Sequence, residues 1–477
     1  MKKVLLVVIL LLTLSFRIDA QKTLTLDESI STALNESYSI KSAEQTLISS
    51  QKNLESIKMG LRSSVDFEFD IPRYSRSLSS QFNPLTGTEQ FFTVGNTTVE
   101  GRLSINQPIL FTNGTVSIVS SIFGRDQFAD VSGTTRDYFS NLSIRLNQPL
   151  FTFNSQLGNL ERAEINLEKT KRNYSRAERE IIYNVTASFY NLYKAKKSVE
   201  ITEEKVKQTE DSYTTAMNKF KAGLIAEVEA LQLEVDYAAS KNELLNVKQI
   251  YEEAKNDFKL LIGLNINEEI DISVQLEYSP LELNIDDAVK SALSNRPEVL
   301  NSEADLELGK LNIDEVDSRR TIKAELNANY GINKNDNKFD SIFNNFADSR
   351  SVTMTVYVPI LDWGKNSFAV EAAYADYKMT ELFQQNLKKQ IEKEVTSAIN
   401  RLNSSKARVE ILKKGVEIAE KSYSISLERF KSGHITSFNL SQMQLKLTDS
   451  KMNNLSAIID YKLALADLER KTYKLYH

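Results

Sequence analysis

The sequence has no cysteine in 477 residues. That excludes disulfides, thiolate metal sites and a lipid-modified N-terminal cysteine. Histidine is almost as scarce, with only His434 and His477, so a metal centre would have to be built from clustered carboxylates. Acid pairs such as Glu252-Glu253 and Glu268-Glu269 are adjacent and point apart on a helix. There is no glycine-rich phosphate loop and no Gly-Xaa-Ser-Xaa-Gly elbow. No catalytic, cofactor-binding or metal-ligating residue is assigned, and an enzyme is not expected. Proline and glycine are also sparse, 7 and 15 residues, which favours few and long elements. The net charge of −5 leaves no broad basic surface for nucleic acid.

Long apolar runs are missing except at the start. Lys2 and Lys3 precede a continuous apolar stretch, Val4 to Leu12, and Ala20 is a small residue at a plausible cleavage point. Residues 1–20 are expected to be a secretory signal, with Gln21 the first mature residue. The alternative, a membrane anchor helix, is disfavoured because the run is too short to span a bilayer. No later segment approaches twenty apolar residues, so passage through a membrane would require a β-barrel.

What is present is a pattern written twice. Leu24 to Asn35 resembles Leu283 to Ser294 at an offset of 259. Further along, Pro149-Leu-Phe-Thr-Phe-Asn-Ser155 aligns with Pro359-Ile-Leu-Asp-Trp-Gly-Lys365 at an offset of 210. That offset holds without a gap through Val185-Thr186 with Val395-Thr396, Ser212-Tyr213 with Ser422-Tyr423, Gly223 with Gly433 and Ser240-Lys241 with Ser450-Lys451. Each half therefore reads as a helix (26–60 and 285–319), a β section (61–153 and 321–363), a long helix (155–219 and 364–430) and a return helix (225–262 and 435–472). The division is repeat 1 at 21–263, a linker at 264–284 and repeat 2 at 285–477. Apolar residues in the long helices recur at three- and four-residue steps, as in Ile181, Val185, Ser188, Leu192 and Ala195. Breaks fall at Lys221-Ala-Gly223 and Lys431-Ser-Gly433, where a reversing chain needs a residue tolerant of positive φ.

In the β sections five segments alternate strictly, for example Val65, Phe67, Phe69 and Ile71 against Ser64, Asp66, Glu68 and Asp70. The others centre on 99–106, 141–147, 322–332 and 353–360. Period two sorts these sets onto opposite faces, one apolar and one charged or amide-bearing. A half-buried soluble sheet would alternate in the same way. Aromatics near strand ends (Tyr74, Phe91, Phe92, Phe111, Tyr138, Phe139, Phe151, Phe153, Tyr357, Trp363) fit interfacial girdles or ordinary strand ends. Two strands per half give four per chain, too few to close a barrel, so three chains would share one of twelve strands. The first half carries about fifty extra residues, including Asn106-Gln-Pro-Ile-Leu-Phe-Thr-Asn-Gly114, an echo of Asn147-Gln-Pro-Leu-Phe-Thr-Phe-Asn154. This segment is expected to add a hairpin partly outside the membrane; the weak pattern over 115–122 leaves the strand count of 110–136 open.

Gln148-Pro149-Leu150-Phe151 at a strand-to-helix junction, Phe-Lys-Xaa-Gly at both breaks, the Leu-Asp-Glu/Asp helix starts at 26–28 and 285–287, and Asn295-Arg296-Pro297-Glu298 together resemble the TolC family of outer-membrane efflux proteins. The resemblance implies a mainly α fold with transmembrane β: a homotrimer, a twelve-stranded barrel in outer-membrane lipid continued by a long α-helical coiled-coil barrel in the periplasm, and no cofactor. It implies the exit duct of a tripartite efflux or type I secretion system, partnered by a periplasmic adaptor and an inner-membrane pump. The hairpin tips that meet the adaptor map to Phe220, Lys221, Gly223, Leu224, Phe430, Lys431, Gly433 and Ile435. Ala222 and Ile225 add small and apolar surface beside them. Some members carry aspartates after the second tip; here those positions are the neutral Asn439 and Gln442, and the acids near the tips are Glu227 and Glu229. These four form a possible entrance ring, or a merely solvated face. Pro149 and Pro359 mark the strand-to-helix junctions. The other reading is a secreted or periplasmic structural coiled coil with a small β domain.

Overall fold

The computed structural model describes residues 22–83, 86–129, 133–274, 276 and 278–476. The expected signal, 1–20, lies outside the described residues. In chain order the elements are β1 (Lys22–Leu24), α1 (Leu26–Glu36), α2 (Tyr38–Gly60), β2 (Ser64–Asn83), β3 (Thr88–Ile109), β4 (Gly114–Ala129), β5 (Gly133–Leu150), α3 (Ser155–Lys221), α4 (Glu227–Ile262), β6 (Ile270–Ile272), α5 (Ile285–Asn295), α6 (Pro297–Asp317), β7 (Lys323–Asp336), β8 (Ala347–Tyr357), α7 (Lys365–Lys431) and α8 (Ser437–Thr472). The two long helices have 67 residues each and the two return helices 36 each. At 1.5 Å per residue the long helices reach about 100 Å.

The chain divides into two compact units. One comprises residues up to 47, 171–301 and 384 onward; the other comprises 48–170 and 302–383. The first is all helix apart from a two-stranded parallel pairing of β1 with β6. Its cores display the repeat directly. Ile181, Val185, Phe189 and Leu192 of α3 are buried in one cluster, and Ile391, Val395, Ile399 and Leu402 of α7, each 210 positions on, are buried in a second. A third cluster lies near the helix reversals, around Ala216, Leu233, Tyr423, Phe430 and Leu440.

The opening helix of each half is two helices rather than one. In the first half Ser37 is extended (ψ 140°), and its hydroxyl accepts from the Ile40 N–H at 3.4 Å, starting α2 afresh. In the second half Arg296 is extended because it precedes Pro297, which disfavours the helical region before it. Side chains cap the first helix of each half. The Thr25 hydroxyl accepts from the Glu28 N–H and the Glu28 carboxylate from the Thr25 N–H, a reciprocal capping box. Asn284 caps Asp286 at 2.9 Å.

The second unit holds a single antiparallel sheet in the order β2-β3-β4-β5-β7-β8. All five alternating segments fall on strands, although the last, 353–360, leaves the sheet after Tyr357, and the weak stretch at 115–122 belongs to a sixth, β4. The count of four strands per chain is therefore corrected to six among the described residues. The added hairpin is not appended to the sheet; β4 pairs with β3 and β5 along its whole length. Its pattern is weak because Ser120 and Gly124 share a face with Ile118 and Ile122, while Val119 and Phe123 sit among the polar residues of the other. Edge strand β2 shifts register between Asp70 and Arg73, at Pro72, which has no N–H to donate to a ladder.

Candidate functional site

Two regions carry the residues that the sequence singles out: the helix reversals in the first unit and the faces of the sheet in the second.

Both reversals close alike. Gly223 has φ 72° and Gly433 φ 79°. The Gly223 N–H donates to Phe220 O (2.8 Å) and Leu224 N–H to Lys219 O (2.9 Å); Gly433 N–H donates to Phe430 O (3.0 Å) and His434 N–H to Arg429 O (2.8 Å). This is the paired-bond C-terminal cap that a glycine in the left-handed region permits. The second return helix is capped by Thr436, whose hydroxyl accepts from Asn439 N–H. The first has Ala226 at that position and no side-chain cap.

Burial divides the tip residues. Leu224 is 72% exposed, and Lys221, Ala222, Gly223, Lys431 and Gly433 are also exposed. Phe430 is 1% exposed. It packs in the tip cluster, with Phe220, Ile225 and Ile435 partly buried against it. The expectation that Phe430 offers docking surface is thus corrected: it is the floor of the tip, because an apolar ring at the narrow end of a four-helix layer is more stable inside. Lys219, not singled out by sequence, holds this floor. Its ammonium donates to Phe430 O and lies 4.6 Å from the Phe430 ring centre. A basic residue in a last helical turn was the available signal. Glu227 is exposed, Glu229 half-buried, and Asn439 and Gln442 exposed.

The sheet has two unlike faces. One carries Asp66 and Glu68 of β2, Glu100 and Arg102 of β3, Ser121 of β4, Asn141 and Arg145 of β5, Asn329 and Asn333 of β7 and Ser349 of β8, and strands β3, β4, β5, β7 and β8 line a polar groove of about 600 Å³ there. Side chains bridge every neighbouring pair of strands on this face: Arg102 to Glu68 (3.2 Å), Ser117 to Asn106 (2.7 Å), Asn141 to Ser121 (3.3 Å), Asn147 to Asn327 (2.9 Å) and Asn333 to Ser349 (3.0 Å). The opposite face exposes Phe67, Phe69, Leu103, Ile118, Leu142, Ile144, Tyr330 and Met354. So continuous an exposed apolar band marks a membrane or protein contact. Phe111, Phe151 and Trp363, all strongly exposed, sit at the turns where strands end, and Phe151 and Trp363 both adopt positive φ. Two aromatics expected at the interfaces lie elsewhere. Phe139 stacks on Phe123 on the polar face (4.3 Å), and Phe153 packs on Gly158 and Arg162.

The junctions at Pro149 and Pro359 are built on caps. Pro149, the penultimate residue of β5, pairs with Glu325 of β7. Beyond it, Asn154 accepts from Leu157 N–H (3.0 Å) and Asn113 from Gln156 N–H (3.2 Å), so two asparagines cover the start of α3. After Pro359, Asp362 accepts from Gly364 and Asn366 N–H and caps α7. Those bonds, led by the one from Asn366, hold its carboxyl below the ordinary range. The Asn295-Arg296-Pro297-Glu298 motif is structural. Arg296 donates to Glu394 (2.9 Å) and Glu298 (3.4 Å) and ties the α5–α6 corner to α7. Burial opposes the Glu298 charge, but Arg296 and neighbouring donors outweigh it and lower its pKa.

A family model described as Outer membrane efflux protein matches residues 29–264 and 288–472. No curated protein sequence matches the chain. Among solved structures, the CusC channel is 15% identical with a TM-score of 0.70, covering 94% of this chain and 91% of its own. The CmeC outer membrane channel of Campylobacter jejuni is 13% identical with a TM-score of 0.71, covering 94% and 85%. The open-state MtrE outer membrane channel of Neisseria gonorrhoeae is 16% identical with a TM-score of 0.68, covering 94% and 88%. With the two matched segments falling on the two repeats, a mainly helical fold and a membrane-type sheet, the chain belongs to the outer membrane efflux protein family and is an outer-membrane transport protein with a helical periplasmic extension.

Proposed function

We propose that three copies of this chain form the passive exit duct of a tripartite efflux or type I secretion assembly, receiving cargo from an inner-membrane pump through a periplasmic adaptor. One observation carries this reading: a sheet with an exposed apolar face, a polar face bridged strand to strand, and two unpaired edges, β2 and β8. Unpaired edges invite another chain, and six strands are too few to enclose a lumen. The helical unit supports the same partner, a second copy of the chain. Ile411, Ile418 and Ile425 of α7 are exposed at seven-residue spacing, and Val228, Leu231 and Val235 of α4 are exposed at heptad positions. Such stripes pack knobs into holes on a neighbouring helix. The mature chain is read as repeat 21–263, linker 264–284 and repeat 285–477, with no catalytic role.

Leu224, Ala222 and the two tip glycines form the adaptor-docking surface, with Lys221 and Lys431 beside them. Glu227, Glu229, Asn439 and Gln442 line the entrance. Membrane fractionation of cells producing the protein tests the reading. A heat-dissociable trimer in the outer-membrane fraction, and loss of export of some cargo on deletion of the gene, are expected. A soluble periplasmic species would instead favour a structural coiled coil.

A further inference from the structure

The segment between Gln107 and Pro149 copies the hairpin before it. Asn106-Gln107-Pro108 closes β3 and Asn147-Gln148-Pro149 closes β5, and the two sites share one geometry. The Gln107 amide donates to Pro108 O (2.7 Å) and reaches back to Leu61 O, the residue just past α2 (3.4 Å). The Gln148 amide donates to Pro149 O (2.8 Å) and reaches back to Thr112 O (2.6 Å), in the turn before β4. The second hairpin therefore starts from the 110–113 turn as the first starts from the end of α2. Gly114 belongs to this arrangement: a Cβ there would collide with the Gln148 side-chain amide.

The copied hairpin is fully woven into the sheet. One row of partners runs Val65, Ile105, Ile118, Ile144 and Tyr330 across β2, β3, β4, β5 and β7 on the apolar face. On the polar face, Ser117 and Ser121 of β4 carry the bridges to β3 and β5. A hairpin lying outside the membrane has no need of an apolar outer row in register with its neighbours. We propose that β4 and β5 span the membrane together with the other strands, so that three chains close an eighteen-stranded barrel and the duplication widens its external mouth. This rests on the trimeric duct reading. With strands about 4.8 Å apart and tilted by about 40°, twelve strands enclose about 24 Å between backbones and eighteen about 36 Å. The two long helices and two return helices of each chain gain no copy, so the duplication enlarges the outer opening alone.

The absence of cysteine allows single-cysteine variants to report without background. Ser117→Cys and Val119→Cys on the polar face of β4 are compared with Val116→Cys and Ile118→Cys on its apolar face. The control is β7, with Asn327→Cys and Asn329→Cys against Leu326→Cys and Ala328→Cys. The probe is a charged, membrane-impermeant maleimide applied to outer membranes. Labelling at least about tenfold faster at the polar positions of both strands is expected, because lipid shields the other face. Alternation in β7 with uniform labelling in β4 overturns the eighteen-stranded barrel and leaves the duct intact. No alternation in either strand overturns both. Deleting 108–148 joins Gln107 to Pro149 and restores Asn-Gln-Pro-Leu-Phe, with the polar residues of β3 falling on the inward register of β5. The trimer of this variant is expected to exclude smaller polyethylene glycols than the full chain when they are added from the outer side of a planar bilayer. An assembled variant with an unchanged cut-off counts against the widening.

Discussion

Phe430→Ala separates the tip's architecture from its docking surface. The ring is 1% exposed and is packed among Phe220, Ile225, Tyr423 and Ile435, with the Lys219 ammonium 4.6 Å from its centre. Removing a buried Phe costs about 3–5 kcal/mol, and the lost cation contact adds about 0.5–1 kcal/mol. The loss falls at the end of two hairpins, where opening requires only the last turns of α3 and α7 and the first turns of α4 and α8 to separate, so it should appear as local rather than global unfolding. At about 1.4 kcal/mol per decade, amide exchange over 213–224 and 427–440 should quicken by about two and a half to four orders of magnitude. Amides near Phe189 and Val395, in the separate clusters, should keep their protection. Hydrogen exchange with mass spectrometry on the purified trimer reads both. Unchanged protection at the tips, or equal loss throughout the helices, would refute the claim that Phe430 closes a local core.

Other outcomes follow from the same geometry. Leu224→Asp, at an exposed site that bears no core load, should leave tip exchange and trimer yield within about twofold of the parent while abolishing adaptor capture in a pull-down. Ile418→Glu, in the exposed stripe of α7, should lower the temperature at which the trimer dissociates on a gel, since a charge at a packed heptad position costs about 2–3 kcal/mol per interface. Asp467 predicts acid lability. Burial opposes its charge, yet Lys471 and Arg470, both at 2.7 Å, outweigh that and lower its pKa. A lowered folded pKa gives stability that is present above the unfolded carboxylate value and lost as pH falls through the folded one. Glu298 acts in the same direction. Trimers should therefore dissociate more readily below about pH 4, and Asp467→Asn should flatten that dependence at the cost of lower stability at neutral pH.

The helices and their duplication were legible because burial follows spacing. Ile181, Val185 and Leu192 line one core and their partners 210 positions on line its copy. Five strands were legible because lipid and water on opposite faces enforce period two. β4 was weak because a strand between two others tolerates Ser120 and Gly124 on the outer face and Val119 and Phe123 inside. The β1–β6 pairing was invisible: three-residue strands joined across almost 250 positions have no period to read. At the tips, sequence located the glycines and the exposed leucine. It could not show that Phe430 turns inward, because a ring at a helix end has the same spacing whether it meets a partner or its own chain.

The most direct test of the account is closure of the barrel by neighbouring copies. A cysteine in edge strand β2, for example Phe67→Cys, is combined with cysteines stepped along edge strand β8 from Val352 to Val356, and the membranes are oxidised. The account predicts that at one β8 register disulfide-linked dimers and trimers form, with the series ending at the trimer, because a closed ring leaves no free edge. A chain that stays monomeric at every register, or a ladder that continues past three, would contradict it.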